Sequence, residues 1–375
     1  MALIGVPCVI MRGGTSKGIF FKRENLPEDN RERDKIILKI FGSGDPIQID
    51  GLGGAYTVTS KTMIVWKSKK RGIDVEYLFG QVGIEKYEID YSGNCGNLTS
   101  AVAPFAIDEG LVEVQEPCTR VRMYNVNTDK RVDAIVPVEN GATKYEGNYY
   151  IDGVPNPGAR IDVIWHDPSG SMTGKLLPTG NPKDFININD KIVEISIVDA
   201  ANPAVFVKAE ELGLRGDEHP SEIPAQKMQI IEKIRSTAAK FIGLVETEDD
   251  ATIKSPHFPF IALVSSPKTY KTTKERIIDK SDYTILARLF SLQKMHHAYP
   301  VTGAICTAIA SKIPGTVVND VAVESEEKVI IGHPKGILEV GVKAKEKEKH
   351  VYIESVTISR TARRLMAGIA YYLEP

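Results

Sequence analysis

Three short stretches of the chain carry side chains able to bind an anion and move a proton. In Tyr91-Ser92-Gly93-Asn94-Cys95-Gly96-Asn97-Leu98-Thr99-Ser100-Ala101-Val102-Ala103-Pro104-Phe105 a lone thiol is flanked by glycines and asparagines, and Leu98, Ala101, Val102 and Phe105 follow at helical spacing. The pattern predicts a loop running into a helix N-terminus, where unpaired N–H groups and the positive end of the macrodipole attract carboxylates and favour negative charge on a nearby thiol. Asn94 or Asn97 can cap that helix, and Gly93 and Gly96 let a ligand approach the backbone. The plainer alternative is a buried cysteine in an ordinary capped helix, although the stretch is rich in donors and poor in bulk. The second stretch, Ala55 to Trp66, is β-branched and aromatic, hence strand-like, with Ser60 and Lys61 in its middle and the glycines of Asp50–Gly54 before it. A strand lysine ordinarily points outward into water; set among the hydroxyls of Thr59, Ser60 and Thr62 in a partly desolvated cleft, it can act as a base. The third is Arg12-Gly13-Gly14-Thr15-Ser16-Lys17-Gly18, whose cations, hydroxyls and glycines suit an anion-binding turn or, equally, a hairpin that needs them only for its geometry.

The elements that must position these groups follow from pattern and punctuation. Cys8–Met11 and Ile19–Phe21 read as strands flanking the third stretch, and Arg31–Ile40 as a charged helix ended by Gly42 and Gly44. Short strands recur from Val121 to Tyr150, and Ile151–Pro182, rich in Pro, Gly and Asp, reads as long connecting loops. Val193–Val198 and Ile261–Val264 read as strands, Pro224–Leu244 as containing an amphipathic helix with Met228, Ile231, Ile234 and Ala238 on one stripe, and Asp282–His296 as a further helix. A second small-residue loop, His297–Gly303, then leads into a helix, Ala304–Lys312, with Cys306 inside it and Pro314-Gly315 beyond. The segment echoes the Cys95 one: a small-residue loop, a helix N-terminus and a single cysteine again occur together. The chain ends with a solvated hairpin tip over Lys343–Lys349 between two strands, and with Arg360, Arg363 and Arg364 near a strand–helix junction, either a carboxylate clamp or a basic helix face.

Bulk properties exclude several functions. The 375 residues exceed one ordinary core and suit two domains, and the hydrophobic and charged fractions, 42% and 26%, are those of a globular protein. A net charge of −2 gives no electrostatic case for a nucleic-acid partner. Cys8, Cys95, Cys118 and Cys306 have no CxxC spacing, and the adjacent His296 and His297 converge poorly on one ion, so no metal site is indicated. Neither Arg12–Gly18 nor Gly170–Lys175 spells a nucleotide-binding Walker A loop. No export signal and no run of about 18 apolar residues occurs, so a cytoplasmic protein without a membrane partner is expected; a homo-oligomer is compatible with the sequence.

With Gly-Gly-Thr-Ser-Lys-Gly at 13–18, Thr-Ser-Lys at 59–61, Ser-Gly-Asn-Cys-Gly-Asn at 92–97 and Arg-Thr-Ala-Arg at 360–363, the chain resembles the PrpF family from Pro7 to Gly368. That family includes 2-methylaconitate cis–trans isomerases, 3-methylitaconate Δ-isomerases and 4-oxalomesaconate tautomerases. The wording at Cys8–Phe20, Lys175–Asn181, Lys312–Thr316 and Ile331–Pro334 is most like that of the methylitaconate isomerases. The resemblance implies an α+β, diaminopimelate epimerase-like fold: two pseudo-symmetric domains, each a curled, mostly antiparallel sheet around a central helix, with the active site in the cleft. Residues 1–190 would form the first domain, with 341–375 returning to it, and 191–340 the second. It implies Lys61 and Cys95 as catalytic residues, with Ser16, Lys17, Ser60, Asn94, Gly96, Asn97, Thr302, Gly303 and Cys306 binding the substrate. The expected activity is cofactor-independent isomerisation of an unsaturated di- or tricarboxylate by allylic proton transfer, with no metal, nucleotide or flavin. A racemase or epimerase using both cysteines and a non-catalytic carboxylate-binding protein of the same fold are the alternatives.

Overall fold

A computed structural model of the chain describes residues 2–326, 328–347 and 350–374. The chain passes through β1 (Ala2–Gly13), β2 (Ser16–Lys22), α1 (Asn30–Phe41), β3 (Lys61–Lys67), β4 (Val75–Val82), β5 (Ile89–Asp90), α2 (Gly96–Asp108), β6 (Cys118–Asn125), β7 (Lys130–Glu139), β8 (Ala142–Thr143) and β9 (Ile161–His166). It continues through β10 (Asp184–Ile188), β11 (Lys191–Ala200), β12 (Asn202–Lys208), α3 (Ala225–Phe241), α4 (Glu248–Lys254), β13 (Phe260–Ser265), β14 (Tyr270–Lys271), β15 (Ile277–Ile278), β16 (Ile285–Ser291) and β17 (Lys294–Met295). Then come α5 (Val301–Lys312), α6 (Val317–Val321), β18 (Lys328–His333), β19 (Gly336–Lys347), β20 (His350–Arg360) and β21 (Ala362–Glu374).

Two compact units result, residues 1–165 with 359–375, and residues 166–358. The first boundary falls before the expected 190 because Ile161–His166 is not loop. Ile161, Val163 and Trp165 are buried and alternate with the less buried Asp162, Ile164 and His166, and β9 pairs with β7. The return to the first unit comes at 359 rather than 341, since β19 and β20 form a hairpin within the second unit. Of that hairpin's expected tip, Glu348 and Lys349 lie outside the described residues.

Each unit has the same order of strand partners. In the first it is β21–β1–β2–β3–β4–β6–β7–β9, antiparallel except for the parallel pairs β2–β3 and β4–β6. In the second it is β10–β11–β12–β13–β16–β18–β19–β20, with β12–β13 and β16–β18 parallel at the corresponding steps. Parallel neighbours need a crossover. It is supplied by α1 and α2 in the first unit and by α3 and α5 at the matching places in the second.

The second crossover helix of each unit is its centre. Every residue of α2 from Gly96 to Ile107 is buried, and every residue of α5 from Val301 to Ser311. Neither helix has a polar face, the composition expected of a helix enclosed on all sides. The outer helices are conventionally amphipathic. Asp29 caps α1 by accepting from the N–H groups of Arg31 and Glu32, and Gly42, at φ +66°, ends it. Ile231, Ile234 and Ala238 of α3 pack with Val205, Val207, Ile261 and Leu263.

Three local expectations are corrected. Asp282–His296 is not a helix: Ile285–Phe290 is a strand buried on both faces between β13 and β18, and a strand so enclosed lacks the alternation of apolar and polar residues that marks a half-exposed one. The strand expected from Ala55 begins only at Lys61, so Ser60 and Lys61 lie at its start. The junction after Ser359 joins two strands, not a strand and a helix. Among the described residues no helix is long and apolar enough to cross a membrane.

Candidate active site

Three segments of the first unit converge: the β1–β2 turn, the start of β3 and the N-terminus of α2. Glycines make the approach possible. A Cβ on Gly13 would lie 2.5 Å from the Asn97 carbonyl oxygen, and one on Gly14, at φ +50°, would lie 2.1 Å from Asn97 Oδ1. A Cβ on Gly18 would lie 2.7 Å from both Leu98 Cδ1 and the Lys61 carbonyl oxygen, so the hairpin is wedged between β3 and α2. The Thr15 N–H donates to Asn97 Oδ1 at 3.3 Å, the Cys95 thiol reaches Ser16 Oγ at 3.9 Å, and the Lys17 N–H donates to the Val58 carbonyl at 2.9 Å. Ser16, Lys61, Cys95 and Asn97, separated by up to 81 positions in the chain (97 − 16), thus belong to one packed cluster.

Lys61 is only 9% exposed. In the antiparallel register it faces Gln81, and its Nζ donates to Gln81 Oε1 at 2.5 Å while lying 5.1 Å from the centre of the Phe79 ring. The Gln81 amide in turn donates to the carbonyls of Ser60, at 2.8 Å, and Thr57, at 3.1 Å. Ser60 is fully buried, and its hydroxyl accepts from Gln48 Nε2 at 3.0 Å, while Gln48 Oε1 accepts from the Ala55 N–H at 2.9 Å. Two glutamines therefore hold the segment before β3 and aim the lysine. Among the described residues its partners are an amide oxygen and an aromatic face, not a carboxylate.

Cys95 is the N-cap residue of α2, with extended backbone, and no side chain caps the helix. The expected capping by Asn94 or Asn97 does not occur. Asn94 Oδ1 instead accepts from the Thr99 hydroxyl at 3.3 Å, and Asn97 Oδ1 serves the Thr15 N–H. The first-turn N–H groups, which have no intrahelical acceptors, receive no side-chain cap, the arrangement that favours an anion. Behind them, Tyr77 OH meets Thr99 Oγ1 at 3.3 Å, its own ionisation driven well up by complete burial. The loop before Cys95 is fixed at both sides. Asn127 Nδ2 donates to the carbonyls of Phe79 and Tyr91, and Tyr91 OH donates to Asp34 Oδ1 at 2.6 Å.

The second unit holds the remaining candidates. Thr302 Oγ1 accepts from Asn202 Nδ2 at 2.9 Å, so that hydroxyl ties α5 to the start of β12. Gly303 is a packing glycine, since a Cβ there would lie 2.4 Å from Leu289 Cδ1. Cys306 is fully buried, its thiol donates to the Val198 carbonyl at 3.2 Å, and burial, reinforced by Asp199, pushes its ionisation far upward. The residue of α5 that corresponds to Cys95 is the N-cap Pro300, and Cys306 lies more than a turn further in. The echo of the two helices in sequence is therefore an echo of scaffold, not of thiol placement.

Sequence reading overlooked Gln48, Phe79, Gln81 and Asn127. Amides and phenyl rings suggest no chemistry by themselves; only the Lys61–Gln81 register, twenty positions apart (81 − 61), reveals their part.

Comparison with known proteins extends these observations. The chain is 44% identical over 371 residues to 3-methylitaconate isomerase of Eubacterium barkeri, covering 98% of this chain and 97% of that one. It is 38% identical over 390 aligned positions to 2-methyl-aconitate isomerase of Shewanella oneidensis, covering 99% and 98%. A solved structure of a methylitaconate Δ-isomerase superposes with a TM-score of 0.84 at 43% identity, covering 99% of this chain and 96% of that one. The fold alone recurs in a hydroxyproline epimerase from Agrobacterium vitis, with a TM-score of 0.59 at 11% identity, covering 99% and 94%, so the architecture is the α+β epimerase-like one. The PrpF protein family matches residues 3–373, and the chain belongs to that family.

Proposed function

We propose that the protein is an isomerase that relocates or inverts the double bond of an unsaturated di- or tricarboxylate by allylic proton transfer, with Lys61 as the principal acid and base. The observation that carries this reading is the buried Lys61 amine, oriented by Gln81 and Phe79 rather than bound to a carboxylate, in the same cluster as the uncapped N-terminus of α2. The named relatives act on methylitaconate and methyl-aconitate, substrates of this class.

In the reaction the base takes a proton from the carbon γ to a carboxylate. The C–H electron pair becomes the new C=C bond, the former π pair moves onto the carboxylate, and the resulting dienolate is reprotonated at the α carbon. No net oxidation occurs. Lys61 removes and returns the proton; the Cys95 thiol serves as the partner acid or orients the substrate. The α2 N–H groups, with Ser16 and Lys17, offset the charge that develops on the carboxylate. Thr302, Gly303 and Cys306 have supporting roles in the second unit's framework.

Proton NMR in D2O with methylitaconate, methylaconitate, cis- and trans-aconitate and oxalomesaconate tests this directly. Double-bond movement with solvent deuterium incorporation is expected for at least one substrate. Lys61→Ala should reduce it at least a thousandfold, and Cys95→Ser should be far more damaging than Cys306→Ser. Retained exchange in Lys61→Ala would remove the lysine from its role. Equal damage from both cysteine changes would favour the two-thiol racemase reading, which the burial of Cys306 disfavours.

A further inference from the structure

Arg235, Arg288 and Arg360 are each at most 5% exposed. Two of them are fully provided for. Arg235 binds Glu232 through Nε and Nη2, and its Nη1 reaches the carbonyls of Ser255 and Phe258. Arg288 spends Nε, Nη1 and Nη2 on the carbonyls of Glu218, Ala287 and Asp217. Arg360 is different: Nη1 donates to the adjacent Ser359 carbonyl at 3.0 Å, and Nε is buried with no partner. No carboxylate pairs with it among the described residues.

Its position is the β1–β2 turn. The Thr361 carbonyl accepts from the Gly14 N–H and from Arg12 Nη1, each at 2.9 Å. The Arg360 Cδ lies 3.2 Å from the Cβ that Gly14 would carry, the same Cβ that would collide with Asn97 Oδ1. Two further hydroxyls are also buried without partners, that of Thr15 in this turn and that of Thr361, whose carbonyl holds the turn and whose side chain packs at Gly158. One orphaned donor in a folded protein is costly, and an unpaired buried cation is costlier. Three such donors, on Thr15 of the turn and on the adjacent residues Arg360 and Thr361 that hold it, next to a helix N-terminus that no side chain caps, would be satisfied together by an acceptor with several lone pairs. A carboxylate has that chemistry and the planar fork that a guanidinium fits.

We infer that Arg360, with the hydroxyls of Thr15 and Thr361, binds one carboxylate of the substrate at the β1–β2 turn. This rests on the isomerase reading for the identity of its ligand, and it is tested by binding rather than turnover.

The probe is methylsuccinate, a saturated dicarboxylate that cannot isomerise, titrated calorimetrically into the full chain alongside its monoamide. Wild type should prefer the diacid by at least tenfold. Arg360→Met should weaken the diacid about a hundredfold and abolish the preference, while Arg360→Lys retains part of it. Thr15→Val and Thr361→Val should each weaken binding several-fold yet raise the melting temperature of the ligand-free protein, because each removes an orphaned hydroxyl. A purely structural role would move the melting temperature alone. Wild type that binds no methylsuccinate, a folded Arg360→Met that binds it normally, or valine variants of unchanged affinity would each overturn the assignment. If Arg360→Met does not fold, the valine pair decides. Deuterium exchange by wild type with normal KM in Arg360→Met would sink this inference and leave the isomerase reading standing. The binding pattern without any exchange would do the reverse.

Discussion

At the scale of single residues, Lys61, the proposed base, is defined by what it is not paired with among the described residues. A lysine drawn into the interior beside Asp or Glu would be locked as half of an ion pair. Lys61 instead meets an amide oxygen at 2.5 Å and an aromatic face. Gln81 also donates to the backbone before β3, so it aims the amine and anchors the strand's start with opposite ends of one side chain. If Lys61 is the base proposed above, Gln81→Leu is expected to lower kcat ten- to a hundredfold with KM changed less than threefold, since the lost group orients the lysine. Gln81→Glu should cost more, because a carboxylate opposite Lys61 would bind its ammonium. Steady-state kinetics of the two variants checks this, and a rise in KM at constant kcat would show Gln81 to be a substrate ligand instead.

At the scale of elements, loops are held by buried polar side chains that sit on strands. Asp199 of β11 is fully buried and accepts from Ser171 Oγ, the Met172 N–H, and both the N–H and the hydroxyl of Thr173, at 2.6–2.9 Å. Asp199→Ala should destabilise the protein by about 3 kcal/mol, because several bonds to a charged group vanish together. Denaturant titration would measure this, and limited proteolysis should find new cleavage within 170–175. These staples mark the limit of what the sequence discloses. Helix α1 was legible from its charge pattern and its terminal glycines, α3 from its stripe, and the Cys95 helix from the loop before it. Strand β16 was not, because Leu286, Leu289 and Phe290 with Arg288 mimic a helical repeat. The strand accommodates that arginine because backbone carbonyls of Asp217 and Glu218, seventy positions away, receive it. The glycines of the β1–β2 turn were read as anion-binding or geometric. The structure adds a third reason, the close passage of α2, which no local pattern encodes.

At the scale of the whole molecule, one connectivity is used twice and armed once. The start of β3 bears Lys61, whereas the start of β13 bears Phe260; the N-cap of α2 is Cys95, whereas that of α5 is Pro300. The first unit thus holds both proton-transfer candidates, and it is the discontinuous one. Strand β1 pairs with β21 along twelve positions, from Ala2 opposite Glu374 to Gly13 opposite Ala362. Removing residues 362–375 should leave β1 without that partner and prevent the first unit from folding, while a fragment of residues 166–358 should retain cooperative melting by circular dichroism. A truncated chain with native stability would refute this. The pairing has a consequence for biosynthesis. Lys61 and Cys95 are made more than 250 residues before β21, so during synthesis the sheet around them waits for a strand that arrives long after they do, and a chain interrupted before β21 would carry both groups without that sheet completed.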